Sequence, residues 1–433
     1  MIPTIIISVI TSILVVVSII FFPNFKIGKI KIDTYWIIAL LGAAILLITQ
    51  LAPINEVFNR LVAKDSINPI KILVLFFSMT IISIFLDELG LFHHLACLAT
   101  RHAKGNQYLL FGIIYCLTSV LTVFTSNDIV ILTLTPFICF FCKNSKINPL
   151  PYLISEFVAA NTWSLMLIIG NPTNIYLATS AGIDFAGYFT VMWFPTLIAG
   201  FAELLILYLL FWHTLHKPIY VSHDDFKIES KFDLIVGTIH LGVCLILLIL
   251  SSYIHIEMWL VSLCCAVSLL VICIVTRLIT RKHWNYVTRP LSRLPYQLIP
   301  FFLSMFVVVV AINHQGISMK IAEFFGDKNV IYIYGSTSFF MSNIINNIPM
   351  SILYSSLPVN LSPLGYKQAI FASIIGSNIG AFLTPVGALA GIMFSSLVNE
   401  HEVKFSFLDF IKYGVIIAIP TISVALLMLD VMI

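Results

Sequence analysis

Ser126, Asn127 and Asp128 stand together in the middle of a long apolar stretch, and Asn346, Asn347 and Ile348 stand in the middle of another. A second polar break follows each: Gly170-Asn171-Pro172-Thr173-Asn174 after the first, and Thr384-Pro385-Val386-Gly387 after the second. Amide, hydroxyl and carboxylate groups of this kind can coordinate an ion or a small polar solute. No Lys or Arg falls beside them, so an anion held there would depend on helix N-termini, whose free N–H groups carry partial positive charge. Asn127 and Asn347, where a helix would begin, face such a solute in this reading, although an asparagine there can also serve only as a helix cap. Asp128 is the sharpest single residue. An acid at bilayer depth is costly and marks function by default. It can exchange a proton, or hold Na⁺ together with Ser126, Asn127 and backbone carbonyls near Gly170.

The elements that position these groups follow from composition. The 433 residues are 60% hydrophobic and only 10% charged, with mean hydropathy +1.03, against about 25% charged in soluble domains. This is an all-α polytopic membrane protein, and the long apolar runs do not suit the short alternating strands of a barrel. The net charge of +3 gives no reason to expect nucleic acid. With about 20 apolar residues per crossing, spans are predicted at 2–22, 34–53, 69–90, 149–182, 187–212, 233–253, 256–276, 296–314, 364–399 and 407–430, about ten in all. The spans 149–182 and 364–399 are too long for simple helices and contain the polar breaks, so both are predicted to unwind. The remaining stretches, 107–142 and 329–358, read as re-entrant hairpins with the polar clusters at their tips. Irregular backbone survives at bilayer depth only inside protein or beside a water-filled cavity.

Charge orients the chain. If 107–142 is re-entrant, its flanking Arg101, Lys104, Lys143 and Lys146 share one side. Threading the spans places every Lys and Arg there except Arg60, Lys64, Lys71, Lys320, Lys328 and Lys367, out of 23. The positive-inside rule makes that side cytoplasmic, with both termini outside. Residues 1–212 and 233–433 then form two inverted repeats of the same plan, joined by a cytoplasmic linker at 213–232. Paired broken segments in two halves are the sequence mark of a transporter's midplane site. Gly376-Ser-Asn-Ile-Gly380 and Gly387-Ala-Leu-Ala-Gly391 are small-residue patterns that suit close helix packing.

At these motifs the chain resembles the ion transporter superfamily, which includes arsenite/antimonite permeases, NhaD-type sodium/proton antiporters and divalent-anion/sodium symporters. The symporters carry Ser-Asn-Thr at each tip, and Ser126-Asn127-Asp128 and Asn346-Asn347-Ile348 stand there in this chain. The permeases are more similar, with Asn-Asp at the first tip and Asn-Asn at the second. Ala160-Asn161-Thr162-Trp163-Ser164 through Asn171-Pro172-Thr173-Asn174 looks like their first broken span, and Gly376-Ser377-Asn378 through Thr384-Pro385-Val386-Gly387 like their second. Asn161 stands where an acid is expected in the permeases. The resemblance implies substrate contacts from Ser126, Asn127, Asn346, Asn347, Asn171, Thr173, Asn174, Ser377, Asn378 and Thr384. It implies ion or proton coupling through Asp128, Asn127, Gly170 and Asn161. It also implies a homodimer in the plasma membrane whose transport domain moves against a scaffold.

Four functions stay open on these residues. The leading one is secondary active transport of a small anion or an oxyanion or arsenite-like solute, driven by a proton or ion gradient through an elevator-type movement. The others are sodium-coupled uptake of a di- or tricarboxylate or inorganic anion, sodium/proton antiport, and a passive channel. No HExxH, GxSxG or P-loop occurs, so no enzyme is expected. H⁺ or Na⁺ is the only cofactor expected, and an ATPase partner stays open. Glu156, near the cytoplasmic end of its span, could merely snorkel, and Glu203, deeper in a scaffold-like helix, either bonds a neighbouring helix or has a role of its own. His240 reads as a satisfied buried histidine. The eight cysteines read as apolar filler, and Met1 to Phe22 as a retained span rather than a cleaved leader.

Overall fold

The structure, a computed structural model, describes residues 1–433 except 23, 28–29, 63–67, 104, 218–229, 252, 255 and 281–284. Most of the expected linker, with Lys227, lies outside the described residues, as do Lys29, Lys64, Lys104, Arg281 and Lys282. A first series of helices comprises α1 (Ile2–Phe21), α2 (Tyr35–Ile48), α3 (Ile54–Leu61), α4 (Pro69–Glu88) and α5 (Leu91–His102), then α6 (Gln107–Phe124), α7 (Asn127–Asn144), α8 (Leu150–Trp163), α9 (Pro172–Ser180) and α10 (Phe185–Leu215). A second series runs α11 (Lys231–Leu250), α12 (Met258–Thr280), α13 (Asn285–Ser292), α14 (Leu298–His314) and α15 (Ile317–Phe325), then α16 (Val330–Ile345), α17 (Asn347–Tyr354), α18 (Pro363–Gly380), α19 (Leu389–Glu400) and α20 (Phe407–Met432). Between α1 and α2, two short strands, β1 (Asn24–Ile27) and β2 (Ile30–Asp33), pair antiparallel, the only strands among the described residues.

Each series repeats the same succession: two helices, a short one, a long one followed by a short one, a broken-tip pair, a broken span and a closing long helix. Packing follows the same pattern. α8 packs on both α6 and α7, as α18 does on α16 and α17. α4 packs against α12 as α14 does against α2, α19 against α7 as α9 against α17, and α10 lies along α20. Among the described residues, seven helices are long and apolar enough to cross a membrane by themselves, or eight if α14 and α15, bent by 77° at their junction, count together. A helix or helix pair covers each of the ten sequence-predicted spans, but α2 stops at Ile48 after 14 residues. The two tips are unequal: α6 and α7 have 18 residues each, whereas α17 has only 8.

The tightest seam is α16 on α18. Gly376 and Gly380 face it, and a Cβ on Gly376 would overlap the Ser338 hydroxyl and the Gly335 carbonyl, while one on Gly380 would overlap the Ser342 hydroxyl. Gly376→Val is expected to force the helices apart and to cost about 1–3 kcal/mol of stability, read as a lower Tm in detergent with the monodisperse peak reduced. The second small-residue pattern does something else. Gly387 lies in the break, against the Asn343 amide oxygen and the backbone at Ala381, and Gly391 packs on the Pro385 carbonyl. It shapes the break rather than a helix seam.

Candidate functional site

Four helices begin where the apolar sequence is interrupted: α7 and α17 at the tips, α9 and α19 after the breaks. The first N–H groups of each therefore have no partner within their own helix ladder. The local sequence explains the starts. Pro172 suits the first helical position of α9, and Asn171 caps it, its Oδ1 accepting from the Thr173 N–H at 3.1 Å and the Thr173 hydroxyl at 3.0 Å. Asn346 turns the second tip at φ 70° and ψ 155°, outside the left-handed helical well and in a region that glycine favours, and caps α17 by accepting from the Ile348 N–H. Ser126 occupies the cap position of α7, but its hydroxyl makes no cap bond. Asn127 and Asn347 are thus first residues of helices and not caps.

Hydrogen bonds join the tips to the breaks. Asn127 Nδ2 donates to Asn161 Oδ1 at 3.0 Å, and the Asp128 N–H donates to Asn127 Oδ1 at 2.9 Å. Asn161 Nδ2 is held by the Phe157 carbonyl at 2.8 Å. Ser164 Oγ lies within hydrogen-bond distance of both the Asn161 carbonyl and Asn378 Oδ1. Asn378, on α18, is the knot between the series. Its Oδ1 also accepts from Asn171 Nδ2 at 2.9 Å, and its Nδ2 donates to Asn174 Oδ1 at 2.7 Å and to the Ile374 carbonyl at 2.9 Å. Ser377 Oγ meets Thr173 Oγ1 at 3.2 Å. Asn174 Nδ2 donates to the Ser164 carbonyl at 2.8 Å. Gly170 seats directly on the Ser164 backbone, where any Cβ would collide.

The second tip is pinned to its own break. Asn346 Nδ2 donates to the Val386 carbonyl at 2.8 Å, and the Asn347 N–H to the Gly387 carbonyl at 3.0 Å. Thr384 Oγ1 donates to Asn343 Oδ1 at 2.8 Å, and Asn343 Nδ2 to the Gly380 carbonyl at 2.8 Å. Sequence reasoning did not single out Asn343. Its signal was an amide inside apolar α16, one turn before the tip.

Unused hydrogen-bonding capacity sorts these residues. Asn171, Thr173, Asn174, Ser377 and Asn378 are fully or almost fully buried and bonded to one another, Asn161 is spent on Asn127 and the Phe157 carbonyl, and Thr384 is bonded to Asn343. By contrast, among the described residues the buried Ser126 hydroxyl and the Asn347 Oδ1 have no partner, and no hydrogen bond reaches the Asp128 carboxylate, itself 9% exposed. A buried polar atom left unpaired costs free energy, so these three are the atoms a ligand could satisfy. The acids elsewhere are engaged. Glu203 accepts from Thr162 and from Tyr115 at 3.2 Å, bonding α10 to α8 and α6 as expected. Glu156 does not snorkel. It is completely buried, with both oxygens 2.9 Å from Thr135 Oγ1 on α7. His240 bonds the Val236 carbonyl of its own helix.

A cavity of about 690 Å³ runs between α19, the start of α20 and the α1–α2 corner, from Asn399 and Glu400 inward to Pro385 and Val386. Its inner end is one hydrogen bond from Asn346, through the Val386 carbonyl. A second cavity, about 360 Å³, occupies the corresponding place between α9, α10 and the α11–α12 corner, but it stops at Thr179 and does not reach the first break.

A polytopic helical chain with paired interrupted helices and cation-free polar tips is a transporter's plan. The family of citrate transporters matches residues 27–376. The chain belongs to that family. It is also similar to arsenical pump membrane proteins. That of Escherichia coli K12 is 29% identical over 370 residues, spanning 81% of this chain and 84% of its own. A putative one from Bacillus subtilis is 23% identical, spanning 78% of this chain and 82% of its own. Among solved structures, the YdaH transporter of Alcanivorax borkumensis, described as having an unusual topology, shares the fold. Its TM-score is 0.54 at 13% identity, covering 99% of this chain and 98% of that one. The chain is therefore a multi-pass membrane transporter of the citrate transporter family and a homologue of the arsenical pump membrane proteins.

Proposed function

We propose that this transporter is a secondary active carrier that exports a small oxyacid of the arsenite or antimonite type across the plasma membrane in exchange for protons. The observation that carries this reading is the character of the tips. Asn347 and Ser126 present unpartnered neutral polar atoms, Asp128 adds a carboxylate, and among the described residues no Lys or Arg stands beside them. A multiply charged anion in a water-poor site needs cationic partners. Arsenous acid, uncharged at neutral pH and bearing hydroxyls that donate and accept, needs only such amides and hydroxyls. The relatives described as arsenical pump membrane proteins support the same substrate class.

In this reading the two helix series are inverted repeats, 1–212 and 233–433. The α1–α2 corner, with Lys26 and Lys31, belongs to the lysine-rich cytoplasmic side. The larger cavity then opens inward and reaches a break, while its smaller counterpart on the other side does not. That asymmetry supports alternating access. A second reading, uptake of a carboxylate such as citrate, is favoured by the family match and by the four helix N-termini at the interruptions. A flux panel in proteoliposomes separates the two: arsenite and antimonite counterflow without citrate or succinate counterflow supports export of the oxyacid, and the converse result replaces it with the carboxylate reading.

Asn347→Ala tests the assignment at the second tip. Its side chain makes no hydrogen bond, so Tm is expected to stay unchanged. The apparent KM for arsenite is expected to rise about tenfold, the equivalent of one hydrogen bond. An unchanged KM removes Asn347 from the site.

A further inference from the structure

The α7–α8 seam contains a carboxyl group that the tips do not use. Glu156 is completely buried on α8, and both of its oxygens lie 2.9 Å from the single hydroxyl oxygen of Thr135. A hydroxyl has one proton and can donate to only one of them. The second short contact becomes a bond when the carboxyl carries a proton and donates it to Oγ1. No cation offsets a charge there. α7 brings Thr135 and the Cys139 thiol to Glu156, and no Lys, Arg or His of α6, α7, α10 or α18 stands against it among the described residues. The carboxyl of α10, Glu203, is occupied by Thr162 and Tyr115, and Lys143 of α7 and Lys367 of α18 are exposed. A buried carboxylate without a cation or several donors is disfavoured.

A polar trail leads away from this pair. One turn from Glu156 on the same face of α8, Tyr152 donates to Gln107 Oε1 at 3.0 Å, and Gln107 Nε2 donates to the Lys217 carbonyl at 2.8 Å, at the ends of α6 and α10. In the other direction, Thr135 lies two helical turns from Asp128 on one face of α7. The second series has Ser373, a hydroxyl bonded to its own helix, at the equivalent place in α18.

We propose that Glu156 is a second proton-binding site of this transporter. It holds its proton when α7 and α8 are seated as seen, and gives it up in the conformation that opens the seam to water from the Gln107 end. One proton is bound and one released per cycle, with no covalent change. The proposal rests on the proton-coupled reading of the transporter and adds a group to it.

Glu156→Gln keeps the shape and a bond to Thr135, so the variant should fold and exchange unlabelled for labelled arsenite at the wild-type rate, since exchange needs no net proton movement. Arsenite accumulation driven by an imposed proton gradient should fall at least about tenfold, with its pH profile flattened. Thr135→Val provides a second variant should Glu156→Gln not fold, and it should shift the pH profile because it removes the hydroxyl partner. Infrared difference spectra of wild type against variant should contain a protonated-carboxyl band that moves on exchange into D₂O. Wild-type accumulation that depends on the proton gradient, with both variants matching it in rate and pH profile, overturns the second site and leaves the coupled reading standing. Wild-type accumulation indifferent to the proton gradient overturns both.

Discussion

Asp128→Asn is expected to reduce gradient-driven transport by about a hundredfold or more while leaving the folded yield close to wild type. The carboxylate sits in the first turn of α7 and accepts no hydrogen bond in the structure. An amide of the same shape therefore breaks nothing, and the lost interaction with the helix N-terminus is worth about 0.3–1 kcal/mol. What disappears is the one group at either tip able to bind a proton or carry negative charge. The second tip has Ile348 in the equivalent place and cannot substitute. Flux in proteoliposomes under an imposed gradient, with Tm measured in parallel, checks both halves of the expectation. Wild-type transport by a well-folded Asp128→Asn protein sinks the coupling role.

Asn378→Ala is expected to have the opposite profile, losing the fold first and transport only as a consequence. Asn378 bonds Asn171 and Asn174 across the two helix series, Ser164 shares its Oδ1, and it is completely buried. Truncation strands the Asn171 amide and the Asn174 carbonyl oxygen without water to replace the partner. At about 1–3 kcal/mol for each stranded group, the loss is roughly 2–6 kcal/mol, a large part of the stability of an ordinary domain. Thermal melting in detergent should register a fall well beyond that of Asn347→Ala. If the two variants melt alike, the amide knot is not what holds the broken spans together.

The contrast between these variants marks how far the sequence could be read. Interruptions in apolar sequence are legible because hydrocarbon forbids unpaired backbone. For that reason 107–142, 149–182, 329–358 and 364–399 coincide closely with α6–α7, α8–α9, α16–α17 and α18–α19. The length of each arm is not legible in the same way. α2 stops at Ile48, ahead of the positive-φ turn at Gln50 and of Pro53, and α17 stops at Tyr354, ahead of the Pro358–Asn360 turn.

Within the site, residue type identified the polar groups but not their partners. Asn171, Asn174 and Asn378 look no different in sequence from Asn347, yet three are spent on one another and the fourth is open. Which amide is free depends on contacts between residues about two hundred positions apart, and these leave no local pattern. Glu156 was misjudged for a related reason. Its nearness to a helix end suggested snorkelling, but α7 brings Thr135 over it and closes the route.

The central claim, proton-driven export of an uncharged oxyacid, is tested most directly by arsenite accumulation in inside-out proteoliposomes containing this chain alone, without ATP, under an imposed proton gradient. Arsenite is expected to accumulate above the external concentration, with an accumulation that collapses with a protonophore and is indifferent to a sodium ionophore. Arsenite that only equilibrates across the membrane, or that accumulates only when sodium or an ATPase is supplied, would contradict it.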